Sequence, residues 1–150
     1  MLLEYCKLRK DVKSPSRSNP SDAGLDVFYS PENNKNINLR PGESAILPTG
    51  LKFGVPHGYM LQVMNRSSMA AVRGLIVGAH CIDAGYDGEV FIDLHNINRK
   101  DTVIKSGEKI AQVVLVPVIH FRPVESRDDL YEEPIAITNR GGGALGSTGS

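Results

Sequence analysis

Asp83 and Tyr86 stand three residues apart in Ile82-Asp83-Ala84-Gly85-Tyr86-Asp87-Gly88, a stretch whose glycines suit a tight turn. A carboxylate beside an aromatic platform, with backbone donors and acceptors nearby, suits a small planar ligand and an activated water. The plainer alternative is a turn capped by Asp83, with Tyr86 packed on a neighbour. A second group is Arg66-Ser67-Ser68, just ahead of the helix-forming Met69-Ala70-Ala71. There a guanidinium, two hydroxyls and the open N–H groups of a helix start could converge on a phosphate. An ordinary serine cap with a solvated Arg66 is the alternative.

The third candidate is the glycine-rich run from Arg140 to Ser150. Gly141 to Thr148 has the spacing of the phosphate-binding loop G-x-x-x-x-G-K-[ST], but Ser147 stands where the lysine belongs, and no helix is expected to follow. That leaves a flexible segment offering bare N–H groups, two hydroxyls and Arg140 to an anion, or else a linker. Asp26, at the head of a strand, could ligate a hard cation directly or through water, or serve as a turn carboxylate. The histidines at 57, 80, 95 and 120 and the cysteines at 6 and 81 follow no ligand spacing, so no zinc site is expected.

The elements that must position these groups are short. From Val90 to His95 the side chains alternate, with Val90, Ile92 and Leu94 facing one way and Phe91, Asp93 and His95 the other, as in a half-buried strand. With Cys81-Ile82-Asp83 as the other arm, residues 78–96 predict a hairpin closing on the 84–88 turn. Further strands are expected within 1–9, from Asp26 to Phe28, over 45–47, 51–55, 59–64, 75–77, 102–104 and 109–116, and again over 118–122. Residues 31–38 read as a polar excursion. One short helix is expected after Ser67 or Ser68, ended by Gly74. Close-spaced strands with one helix predict an all-β fold, a jelly-roll-like sandwich or barrel.

Composition sets the outer limits. The 150 residues point to one domain, and 41% hydrophobic with 23% charged is ordinary for a globular chain. Lys plus Arg and Asp plus Glu balance at 17 each, so no global field favours nucleic acid or an anionic membrane. No apolar run reaches membrane-spanning length and no signal peptide is recognised at the start. Both cysteines read as small buried hydrophobes in a reducing compartment, which predicts a cytoplasmic protein.

Taken in order, Ala23-Gly24-Leu25-Asp26, Arg66 to Ala70, Ile82 to Val90, Gly107 to Gln112 and Arg140 to Gly149 resemble the five motifs of the trimeric dUTP pyrophosphatases (dUTPases). The resemblance spans nearly the whole chain. It implies a β jelly roll over 1–138, a homotrimer with sites at subunit interfaces, and a lid formed by 139–150. It implies hydrolysis of dUTP to dUMP and pyrophosphate, with Asp83 orienting the water that attacks the α-phosphorus. Uracil would be held by the backbone around Cys81, Ile82 and Phe91, and Tyr86 would lie against deoxyribose and exclude a 2′-hydroxyl. Arg66, Ser67, Ser68 and Gln112 would contact the phosphates. Mg²⁺ would bridge them, with Asp26 holding its water shell. The lid, from another subunit, would bring Arg140, Ser147 and Thr148 to the phosphates, and Leu145 and Gly146 to the base and sugar.

The sequence departs from the family pattern at three places. Leu145 stands where the family usually has a phenylalanine on the base, Ala144 replaces a common glycine, and His80 a frequent glycine. Ala79 to Tyr86 is also similar to the A-H-x-I-D-P-G-W segment of the homologous dCTP deaminases. Their water-activating Glu would be matched by Asp93, one methylene shorter. A deaminase, or a bifunctional deaminase–pyrophosphatase, is therefore one alternative. A nucleotide-gated regulator that uses 33–38 or 125–133 as a partner surface is another.

Overall fold

The computed structural model describes residues 1–127. Two units divide the chain, Met1–Ile119 and His120–Ser150, and residues 120–127 of the second carry no helix or strand. The expected domain boundary at 138/139 and every expected lid residue (Arg140, Leu145, Gly146, Ser147 and Thr148) lie outside the described residues.

The first unit is all β. Its strands are β1 (Tyr5–Lys7), β2 (Leu25–Phe28), β3 (Ile37–Leu39), β4 (Ser44–Pro48), β5 (Leu51–Phe53) and β6 (Tyr59–Met64). They continue as β7 (Leu75–Val77), β8 (Cys81–Ile82), β9 (Phe91–Asn96), β10 (Thr102–Ile104) and β11 (Lys109–Pro117). The two larger sheets run β2-β11-β6-β8 and β4-β9-β7, and the pairs β1-β5 and β3-β10 complete the set. Every pairing is antiparallel, and most neighbours are distant in sequence, as in a jelly roll.

The period-two pattern of β9 explains its seat. Val90, Ile92 and Leu94 are buried to 2% exposure or less, whereas Phe91 on the opposite face is 47% exposed. They join Leu47, Leu61, Leu75, Ile104 and Ile110 in one core fed by every sheet. Each such aliphatic side chain contributes about 1.5–3 kcal/mol by leaving water. The pattern then places Asn96 inside as well, at 1% exposure. Its amide nitrogen donates to Leu39 O and Lys100 O, both at 2.9 Å, and its Oδ1 accepts from Asn98 N at 2.9 Å. A buried amide satisfied on both sides becomes a staple between β9 and β3.

Four expectations are corrected. Residues 78–96 do not form a ladder-paired hairpin: β8 pairs with β6 and β9 with β4 and β7. The arms therefore belong to different sheets, and the 83–90 loop bridges them. The strand expected over 118–122 is absent, because β11 runs to Pro117 opposite Tyr59 and ends there. Just beyond it Val118 N reaches across to Gly58 O at 2.8 Å. Residues 37–39, taken mostly into the polar excursion, are a strand because Leu39 and Ile37 find partners in β10. The expected helix is a single π-helical turn, Ser68–Val72, with Met69 buried beneath it.

Candidate active site

The site has two halves. The first lies on the sheet β2-β11-β6. Gln112 is opposite Asp26 on one side and Met64 on the other, so the chain leaving β6 carries Arg66 back over Asp26. Arg66 Nε donates to Asp26 Oδ1 at 3.0 Å, and Lys109 Nζ lies 2.8 Å from Asp26 Oδ2. Ser18 Oγ donates to the same Oδ2 at 3.2 Å. Burial alone would push the Asp26 carboxyl up. The Lys109 hydrogen bond, the charges of Arg66 and Lys109 and the Ser18 hydroxyl outweigh it and hold the group below its ordinary value. Gln112 Nε2 donates to Asn65 O at 3.0 Å, tying β11 to the loop that carries Arg66.

These groups face a pocket of about 280 Å³ lined by Ala23, Gly24, Asp26, Arg66, Ser67 and Gln112, among others. Ser67 caps the π turn without spending its hydroxyl on a capping hydrogen bond. Guanidinium, hydroxyl and amide donors in one open pocket suit a phosphate chain. Ser68, expected beside them, begins the turn and is not among the residues lining this pocket.

The second half is the loop between the two sheets. Cys81, Ile82, Asp83, Tyr86 and Phe91 line a pocket of about 240 Å³, together with Glu89 and Val90. The five described residues expected to receive base, sugar and water are therefore brought together. Asp83 accepts from the Cys81 thiol at 3.5 Å, and Tyr86 Oη donates to Glu89 O at 2.9 Å. Partial burial, the hydrogen bond to Asp83 and the charge of that carboxylate push the Cys81 thiol up, away from nucleophilic use. Cys6 and Cys81 are both free and exposed, contrary to the expected burial: Cys6 lies on an edge strand and Cys81 at this pocket's mouth.

One chain does not join the halves. Ile82 is opposite Leu61 and Cys81 opposite Gln62, so Asp83 emerges toward the start of β6, whereas Arg66 follows its end. Six residues of extended chain separate those levels, roughly 15–20 Å. The two pockets share no lining residue.

Lys109, Ser18 and Glu89 were not picked out in the sequence. Lys109 is three residues from Gln112, an odd spacing that strict alternation assigns to the opposite face. A bulge between Lys109 and Ala111 shifts the register, and Ile110 and Ala111 both point inward. Lys109 thereby reaches the Gln112 face and Asp26.

The dUTPase family model matches residues 10–149, a span that includes the 140–149 motif. The chain belongs to the dUTPase family. A deoxyuridine 5′-triphosphate nucleotidohydrolase of Chlamydia pneumoniae is 36% identical over 148 residues, covering 97% of each chain. A Staphylococcus phage 80alpha dUTPase solved with dUPNHPP is 26% identical, with a TM-score of 0.79 and 99% of each chain covered. A dUTPase mutant from phage phi11 of S. aureus that coordinates a structural Mg(II) ion is 23% identical and has a TM-score of 0.78. That match covers 87% of this chain and 100% of the other. This last likeness is one of fold.

Within the dUTPase family, the position of Asp93 bears on the deaminase alternative. Asp93 Oδ1 lies 3.1 Å from His95 Nε2, and its backbone carbonyl accepts from Gly78 N at 2.8 Å. It is not among the residues lining the pocket that holds Asp83 and Tyr86.

Proposed function

We propose that this dUTPase hydrolyses dUTP to dUMP and pyrophosphate in a site assembled from two halves of different subunits. The observation that carries this is the grouping of Asp83 and Tyr86 in one pocket and of Asp26, Arg66, Ser67 and Gln112 in another, at opposite ends of β6. The carboxylate that activates the water and the Arg66 donors must both close on the same phosphate chain, which groups at opposite ends of one strand do not do, so a second copy supplies the missing half. The family's trimer meets that need.

In this reading the backbone of Cys81, Ile82 and Phe91 holds uracil, and the Tyr86 ring screens the sugar against a 2′-hydroxyl. The Asp83 carboxylate accepts the proton of a water aligned on the α-phosphorus, and the pyrophosphate leaves with the electron pair of the broken P–O bond. Arg66, Ser67, Ser68 and Gln112 donate to the phosphate oxygens and balance the charge that builds there. The Arg140 to Thr148 segment closes over the nucleotide, with Arg140, Ser147 and Thr148 on phosphates and Leu145 and Gly146 over base and sugar.

Mg²⁺ fits as an ion carried in by the nucleotide rather than one held by the protein beforehand. Both Asp26 oxygens already accept from cationic side chains. Among the described residues, no three His, Cys, Asp or Glu side chains gather to hold a metal. Asp26 would hold the ion through water, and the ion when bound neutralises phosphate charge. Two free thiols suit a reducing, cytoplasmic setting, and no helix among the described residues is long and apolar enough to cross a membrane.

The test is turnover of dUTP, dCTP, dTTP and UTP with Mg²⁺, following pyrophosphate and ammonia separately. Pyrophosphate from dUTP alone is expected. Ammonia from dCTP would move the assignment to the deaminases, and neither product would leave a nucleotide-binding regulator.

A further inference from the structure

Glu89 lines the pocket of Asp83 and Tyr86, yet its carboxylate is spent on the scaffold. Oε1 accepts from Gly50 N at 2.7 Å and lies 3.7 Å from Arg9 Nη1, and the side chain is only 18% exposed. Its own backbone carbonyl accepts the Tyr86 phenol at 2.9 Å. The same residue therefore holds the body of the protein with its side chain and the tip of the loop with its main chain.

The surroundings make this anchor stiff. Gly50 has φ +68°, a conformation that strains other residues, and a Cβ there would stand 2.3 Å from Val12 Cγ2. The direction of its N–H is thus fixed. Next to Glu89, Val90 O accepts from Thr49 Oγ1 at 2.6 Å, and Val90 N donates to Leu51 O at 2.8 Å. Residues 49–51 clasp residues 89–90 from both sides. At the tip, a Cβ on Gly88 would come within 2.5 Å of Tyr86 Oη, so only glycine lets the phenol fold back onto Glu89 O. Among the described residues, that bond is the one polar tether of the Tyr86 side chain, which is 47% exposed.

We infer that Glu89 is a positioning residue for sugar selection: the Gly50–Glu89 clasp fixes the carbonyl that holds the Tyr86 phenol, and so fixes the ring against the sugar. The inference rests on the reading above that Tyr86 screens the 2′ position. A carboxylate that only capped the 48–50 turn would set stability and leave discrimination between dUTP and UTP untouched.

The experiment measures kcat and KM for dUTP and UTP, with thermal unfolding, in the full-length protein and in five variants: Tyr86→Ala, Tyr86→Phe, Glu89→Ala, Glu89→Gln and the double change Tyr86→Phe with Glu89→Ala. Glu89→Ala is expected to lower the dUTP/UTP ratio of kcat/KM about tenfold, the scale of one displaced hydrogen-bonded group. Glu89→Gln keeps an acceptor for Gly50 N–H and is expected to restore the ratio. Tyr86→Phe removes the phenol, so adding Glu89→Ala to it should lower the ratio no further. A ratio that falls in Tyr86→Ala but stays at the unmutated value in Glu89→Ala overturns the inference alone. An unchanged ratio in Tyr86→Ala overturns the reading beneath it, and the inference with it. Should Glu89→Ala not fold, Tyr86→Phe carries the test, since it removes only the bond to Glu89 O, and an unchanged ratio there overturns the inference.

Discussion

Lys109 Nζ sits 2.8 Å from Asp26 Oδ2, across a bulge that brings two residues of β11 from opposite faces of an ideal strand onto one. Arg66 holds the other oxygen, so one carboxylate ties three segments of this half of the candidate site together. Lys109→Met is expected to lower stability at pH 7 by about 1 kcal/mol, less than a buried charge-assisted hydrogen bond contributes because the lysine is partly exposed. Denaturant unfolding of the two proteins checks it.

The same pair predicts an acid limb. Asp26 has its carboxyl held below the ordinary 3.8, so its folded form binds a proton less readily than the unfolded chain. The resulting stabilisation is fully present above that unfolded value and is lost as pH falls through the lower folded one. The melting temperature of the unmutated protein should therefore drop in that acid window. Asp26→Asn should flatten that part of the profile while lowering the plateau at neutral pH.

Asp83→Asn keeps the shape of the side chain but replaces the proton acceptor with an amide. Pyrophosphate release from dUTP should fall by roughly a hundred- to ten-thousandfold, with dUTP binding retained. Loss of binding in parallel with turnover would assign Asp83 to holding the ligand instead.

Because the two halves sit at opposite ends of β6, inactive variants should complement one another. Asp83→Asn and Arg66→Ala are each expected to be inactive. Unfolding and refolding a mixture of the two should return a fraction of the activity, since some mixed assemblies contain one site with both halves intact. Mixtures as inactive as their parents would place both halves of a working site on one chain.

Asn96 carries no chemistry, yet it joins β9 to β3 through bonds to Leu39 O and Lys100 O. Asn96→Ala leaves those carbonyls and Asn98 N without their partner, and should cost about 2–3 kcal/mol in urea unfolding. Turnover under native conditions should change little.

Much of this protein was legible in its sequence, and for a physical reason. The alternation of Val90, Ile92 and Leu94 against Phe91, Asp93 and His95 is local, because strand geometry sends neighbours to opposite faces whatever the partner strand is. The turn chemistry of Gly85 to Gly88 is equally local, and so are the five motifs by which the family is recognised. What pairs with what is not local. That β8 joins β6 while β9 joins β4 turned an expected hairpin into a bridge between sheets. The bulge in β11 and the 49–51 clasp on Glu89 likewise depend on residues tens of positions away, whose hydrogen bonds no period along the chain encodes. The sequence by itself determined the family and the candidate side chains for its chemistry, because their types and turns are written within a few residues. Only the tertiary structure decided that they fall into two separate pockets, because strand order and register place Asp83 and Arg66 at opposite ends of one strand.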